Sequence, residues 1–187
     1  MSESKQQDLQ QETIQAERLA TALGTLRSPS ILLDEYKENA VFLPKIQQLC
    51  QKYTGIRPSR GDGNCFYRSV AFQVLNYYRQ SANPEIIETA LVQHTTVLEG
   101  LCNFFGHQKM CVEDFYDVFC ESARALQGSG IEALETLFLS PETERALVYW
   151  IRLLTSFAIQ SNAEAFQPFI SKWKARVCVC VSMLFVF

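Results

Sequence analysis

The segment from Ser140 to Ile159 constrains the fold more than any other. Ser140-Pro141-Glu142 reads as a helix start, with Ser140 as N-cap and Pro141 in the first turn, where its missing N–H is harmless. From there to about Ile159 the pattern is helical and apolar on most faces, and such a helix belongs in a buried position. The other segments also read as helices. Ile31 to Tyr53 holds one or two short ones, with Leu43, Ile46, Leu49 and Tyr53 on one face. A helix is expected to start at or next to Cys65 and to run to about Gln80, with Phe66, Val70, Val74 and Tyr77 as its apolar stripe. Ser81-Ala82-Asn83-Pro84 is a stop and a restart, and a long helix is expected from about Glu85 to Phe105. After a turn at Gly106-His107-Gln108, Val112 to Leu126 reads as a helix with Val112, Phe115, Phe119 and Ala123 on one side. Gly128-Ser129-Gly130 links it to a short helix over Ile131 to Leu139, and Ala163 to Ile170 holds a further turn or two.

The two ends differ from this middle. In residues 1–27, rich in Gln and Glu, Leu9, Ile14, Leu19, Leu23 and Leu26 recur at roughly helical spacing. That stretch is expected to be an arm, either a weakly anchored amphipathic helix or disordered. Arg27-Ser28-Pro29-Ser30 breaks it from the helices downstream. Val177 to Phe187 carries no charge. It is shorter than the roughly 20 apolar residues a membrane span needs, and its β-branched, aromatic character is that of an aggregation-prone segment or a buried strand.

Composition excludes several functions. A chain of 187 residues suits one domain of ordinary size. The net charge of -3 comes with no cluster of Lys and Arg, which argues against tracking nucleic-acid phosphates. Seven cysteines, an odd number, come after a polar start with no secretory apolar core. A reduced intracellular compartment is the reading: the cytoplasm, with the nucleus open as a second site. A disulfide scaffold is not expected. Nor is zinc, because Cys178 and Cys180 are too closely spaced and His94 and His107 are the only histidines. The sequence points to no cofactor and to no membrane.

Gly61-Asp62-Gly63-Asn64-Cys65 carries the chemistry. The glycines permit positive φ, so successive backbone N–H groups can face one side of a tight turn. Cys65 then falls at a helix N-terminus, whose dipole favours a thiolate. The inward-facing N–H groups can hold an oxyanion. Nucleophile and oxyanion donors are two of the three elements that acyl transfer needs. A lone cysteine would read as one of seven buried thiols; the Gly-Asp-Gly-Asn setting is what argues otherwise.

Asp62-Gly63-Asn64-Cys65-Phe66-Tyr67-Arg68 resembles the nucleophile motif of the ovarian-tumour (OTU) family of deubiquitinating cysteine proteases, and its surroundings resemble the otubain branch. Ile56-Arg57 precedes the motif as in otubains. Val112-Glu113-Asp114-Phe115 is similar to an otubain Ile-Glu-Asp-Phe. Val148 to Ser156 is similar to the otubain helix ending Arg-Leu-Leu-Thr-Ser, and Phe166 to Ile170 to an otubain Phe-Glu-x-Phe-Ile. The resemblance runs from about Ile31 to Ile170. It implies an α+β, papain-like fold in which a helical lobe carries the cysteine and a mixed sheet carries a histidine. It implies cleavage of isopeptide bonds in lysine-linked polyubiquitin. Cys65 would be the nucleophile. Asp62 would be an active-site residue that shapes the loop and lends its backbone to the oxyanion hole, with Gly63 and Asn64 holding that loop. Ubiquitin and polyubiquitin are the implied partners. Otubains also hold ubiquitin-conjugating enzymes and restrain ubiquitin transfer, partly through an N-terminal helical arm, and residues 8–26 could serve in that way.

The family's general base is a histidine in a Gly-His-Tyr-Asp segment, and no such segment occurs in this sequence. His94, inside the long helix, and His107, in a loop, are read as non-catalytic. The resemblance also stops after Ile170. The expected organisation is an arm over 1–27, the helical part of a catalytic domain over 28–170, and an unrelated apolar tail over 171–187. Such a chain would be mainly α, with most of the sheet missing, as in a truncated form of a longer protein. Its activity would be impaired, leaving a non-catalytic binding module as the alternative.

Overall fold

The computed structural model describes residues 22–81, 83–105 and 109–170. Among them are eight helices: α1 (Ile31–Glu35), α2 (Leu43–Lys52), α3 (Cys65–Gln80), α4 (Pro84–Phe105), α5 (Lys109–Ala125), α6 (Ile131–Leu137), α7 (Pro141–Ser161) and α8 (Ala163–Ile170). Residues 1–21 and the tail 171–187 lie outside the described residues, as does His107.

The apolar helix read from Ser140 is the hub. Ser140 Oγ accepts from the Thr143 amide at 3.3 Å, as the N-cap reading requires. From that start α7 packs on α3, α4, α5 and α8. Leu147 and Trp150 are wholly buried, with Ile151 and Leu153 nearly so. They meet Leu75 of α3, Leu91 and Leu101 of α4, and Phe119 and Ala123 of α5 in one continuous core. Gly100 of α4 lies against the Phe157 ring, where a Cβ would clash, so the glycine sets how closely α4 approaches α7. At the other restart Asn83 Oδ1 accepts from the Glu85 amide at 2.9 Å, and Pro84 is the first residue of α4.

Two expectations are corrected. The buried face of α3 is Arg68, Ala71, Phe72, Leu75 and Tyr78. Of the expected stripe, Val70 and Val74 are only partly buried, and Phe66 and Tyr77 are exposed. The second concerns the end of the arm. Residues 22–27 are not helical there but run extended, antiparallel to 56–60, with bridges between Leu23 and Ser59 and between Arg27 and Ile56. The Gly24 amide donates to Pro58 O at 2.8 Å, and Arg27 and Ile56 exchange both backbone bonds at 2.8 Å. The last bond of the ladder, from the Arg60 amide to Ala22 O at 3.1 Å, anchors the chain one residue before Gly61. These four backbone bonds to a distant segment outweigh the weak helical spacing of Leu23 and Leu26.

Candidate active site

The loop 61–64 is suspended between that ladder and α3. Asp62 Oδ1 accepts from the Asn64 amide at 3.0 Å, an Asx turn that curls the chain back on itself. Gly63 sits at φ +82°, where a side chain would be strained, and nothing lies within 4 Å of where its Cβ would point. Gly63→Ala is therefore expected to destabilise the fold by about 1–2 kcal/mol through the backbone alone. A chemical melt would show it as a lower midpoint with unchanged slope.

A buried arginine holds the loop from below. Arg68, one turn into α3, has no exposed surface, and Glu144 of α7 is 4% exposed. Arg68 Nε donates to Glu144 Oε1 at 2.6 Å. Its Nη2 donates to Asp62 Oδ2 at 2.6 Å, and Nη1 to Asp62 Oδ1 at 3.1 Å. Nη1 also reaches Arg60 O at 3.0 Å and Ser59 Oγ at 3.2 Å. A guanidinium offers five N–H donors in a planar fork, and here all three nitrogens are engaged. Arg60 adds Nε to Asp62 Oδ2 at 2.9 Å. Burial pushes the Asp62 carboxyl up, but the hydrogen bonds from Arg68, the Asn64 amide and Arg60, together with the Arg68 charge, more than offset it. They hold it well below the usual carboxylate range. The stability this contributes is present above the unfolded carboxyl pKa, near ~4, and drains away as pH falls below it.

Cys65 is the first residue of α3, and it is exposed. Its carbonyl accepts from Ser69 Oγ at 2.8 Å. The loop and the helix start thus bring together all four residues singled out in the sequence: Asp62, Gly63, Asn64 and Cys65. A cavity of about 620 Å³ is lined by the ladder residues and another of about 460 Å³ by Arg60 and Asn64, and Cys65 lines neither of these two.

The motif gave no role to three residues that hold the site. Arg68 stood there only as part of a resemblance. Glu144 drew no reading at all, although with Leu147, Val148 and Ile151 it lies on one buried face of α7. Arg152 of α7 donates from Nη1 to Asn64 Oδ1 at 2.6 Å. A charged residue recurring on an otherwise apolar helix face was the available signal for Glu144. Arg152, like Arg68, stood only within a segment of resemblance, the Arg-Leu-Leu-Thr-Ser stretch of α7.

His94 is packed against the helical core. Its Nδ1 accepts from Trp150 Nε1 at 3.0 Å, and its ring stacks on Phe119 with centroids 4.8 Å apart. Burial holds its pKa below the ordinary value. The unfolded chain therefore takes up the proton first, so stability is full above about pH 6.5 and falls as the pH drops below it. A melting temperature that declines by a few degrees from about pH 7.5 to about 5.5 is expected, with much of that decline absent in His94→Gln. An unchanged pH dependence in the variant would show that His94 is not the group responsible.

Cys50, Cys65, Cys102 and Cys120 are free thiols. Among the described residues no group of His, Cys, Asp and Glu is arranged to hold a metal, and no helix is long and apolar enough to cross a membrane.

Comparison with known proteins converges on one family. The family model described as Peptidase C65 Otubain matches residues 13–179. An otubain-like ubiquitin thioesterase of Caenorhabditis elegans is 32% identical over 173 residues, covering 89% of this chain and 59% of that protein. A deubiquitinating enzyme of Arabidopsis thaliana that contains an ovarian tumor domain is 30% identical over 155 residues, covering 80% of this chain and 50% of that protein. The ubiquitin thioesterase OTUB1 of Homo sapiens is 30% identical over 143 residues, covering 75% of this chain and 52% of that protein. The chain thus spans between 50% and 59% of the length of these relatives. Among solved structures, a complex of ceOTUB1 with ubiquitin aldehyde and UBC13~Ub matches with a TM-score of 0.71 and 29% identity, over 86% of this chain and 66% of that one. A complex of h/ceOTUB1 with ubiquitin aldehyde and UBCH5B~Ub matches with a TM-score of 0.71 and 28% identity, over 89% of this chain and 67% of that one. These matches show the fold to be the one expected from the motif, here as its mainly helical part.

Proposed function

Since the chain belongs to the otubain family of C65 peptidases, we propose that it acts on ubiquitin conjugates as a thiol-dependent deubiquitinase, hydrolysing isopeptide bonds of lysine-linked polyubiquitin. The observation that carries this reading is the exposed Cys65 on the first turn of α3, behind a loop held by Arg68. The thiolate attacks the carbonyl of ubiquitin's C-terminal glycine. The oxyanion so formed meets amides of the loop from Asp62 to Cys65. The lysine amine leaves with a proton, and water then hydrolyses the thioester. In this scheme the Asp62 side chain shapes the loop, because both of its oxygens are already committed to Arg68, Arg60 and the Asn64 amide.

Among the described residues no histidine joins Cys65, since His94 is committed to Trp150 and Phe119. These residues alone would therefore support impaired turnover, because the members of such a catalytic set act as a unit. The test is a ubiquitin bearing a C-terminal electrophile, with the modified peptide identified by mass spectrometry. Slow covalent labelling at Cys65 is expected; none, after prolonged incubation with folded protein, would sink the proposal.

A second reading, binding of ubiquitin-conjugating enzymes without catalysis, is favoured by the structural neighbours, which were solved with UBC13~Ub and UBCH5B~Ub. A pull-down with a ubiquitin-charged conjugating enzyme, with and without residues 1–21, a deletion that leaves the 22–27 ladder in place, tests it. Capture that disappears on deletion would support a role for the arm, and capture indifferent to the deletion would remove the arm from the account.

A further inference from the structure

The start of α3 has an unusual N-cap. Asn64 occupies the cap position, and Asn is among the best residues there because its side-chain oxygen accepts from an amide of the first turn. Here it makes no such bond, and its backbone sits in the helical region at φ -103°, ψ -1°, instead of the extended conformation of an ordinary N-cap. Its Oδ1 is taken by Arg152 Nη1 at 2.6 Å, from 88 residues further along the chain. The first bond internal to the helix runs from the Arg68 amide to Asn64 O at 2.9 Å. The amides of Cys65, Phe66 and Tyr67 precede it and have no acceptor within the helix. Arg152 itself is steered by a second contact, its guanidinium lying 5.1 Å from the centroid of the Tyr67 ring. Its Nε is buried with no hydrogen-bond partner among the described residues.

We propose that Arg152 is a positioning residue that keeps α3 uncapped: by drawing off the Asn64 side chain it leaves the first-turn amides free for the Cys65 thiolate and for the oxyanion formed on it. The Arg152 bond holds Asn64 in this uncapped conformation; without it Asn64 can relax to the extended backbone of an ordinary N-cap and turn its side chain onto donors that the reaction needs. The inference deepens the thiol-hydrolase reading, but it makes a claim about the thiol that does not require ubiquitin.

The experiment is a double-mutant cycle on the full chain. The rate of alkylation of Cys65 by iodoacetamide at about pH 7 is followed at the Cys65 peptide by mass spectrometry in the parent, Arg152→Met, Asn64→Ala and the double variant. Arg152→Met removes a buried unpartnered donor without creating one, so the fold is expected to survive, as a thermal melt would show; should it not, Arg152→Ala, which also lacks a donor for Asn64, takes its place in the same cycle. Alkylation is expected to slow by about threefold in Arg152→Met, the scale of an interaction between a charge and a helix end. It is expected to show no Arg152 dependence once Asn64 is alanine. An unchanged rate in Arg152→Met, or an equal slowing in both Asn64 backgrounds, would overturn the proposal. The ubiquitin probe applied to the parent reports separately on the hydrolase reading, so failure of one is distinguishable from failure of the other.

Discussion

Arg68→Ala is expected to destabilise this fold by about 3–5 kcal/mol, as removal of one partner from a buried ion pair does. The reason is what stays behind. Glu144, 4% exposed, would keep a carboxylate in the core with its charged partner gone. Asp62 would lose two of its hydrogen bonds, and Ser59 Oγ and Arg60 O one each. A denaturant titration reads the loss directly as a shifted midpoint. Arg68→Met combined with Glu144→Leu should cost less than Arg68→Ala alone, because no buried charge is then left over. A loss below about 1 kcal/mol for Arg68→Ala, the scale of a surface pair, would mean that the cluster does not anchor the nucleophile loop.

Cys65→Ala is expected to reduce labelling by the ubiquitin electrophile by at least about 10³-fold, since removal of a nucleophile forfeits nearly all of the chemistry. Stability should change by no more than about 0.5 kcal/mol, because the side chain is exposed. The pairing of these two outcomes matters. Arg68→Ala acts on the fold and through it on the thiol, whereas Cys65→Ala acts on the thiol alone. Residual labelling that moves to Cys50 or Cys102, both half-buried, would show that the probe reports general thiol accessibility instead of the proposed site.

Much of this arrangement was legible in the residues. Ser140 and Pro141 mark the start of α7, Asn83 and Pro84 that of α4, and Gly63 before Cys65 that of α3, because caps and turns are local chemistry. The face of α3 was not legible. Its apolar residues form two overlapping series, one of Phe66, Val70, Val74 and Tyr77 and the other of Ala71, Phe72, Leu75 and Tyr78, and periodicity alone cannot choose between them. The choice falls to Arg68, whose burial is compensated by Asp62 and by Glu144, which waits on α7. Nothing near Arg68 in sequence announces that partner. The pairing of 22–27 with 56–60 was hidden for a related reason. It is made of backbone bonds, which leave no side-chain period over so few residues.

The clamp also has an order of assembly. Arg68 meets Glu144 across 76 positions and Asn64 meets Arg152 across 88, so these are among the contacts of longest sequence separation described, and such contacts pay the largest loop-closure entropy before they form. On a ribosome the loop 61–64 emerges early, while its partners on α7 are still unmade. Until residue 152 has left the exit tunnel, no outside donor competes with α3 for the Asn64 side-chain oxygen. The nascent chain thus carries its thiol in a loop held only by its local bonds, and the site is completed only when α7 docks.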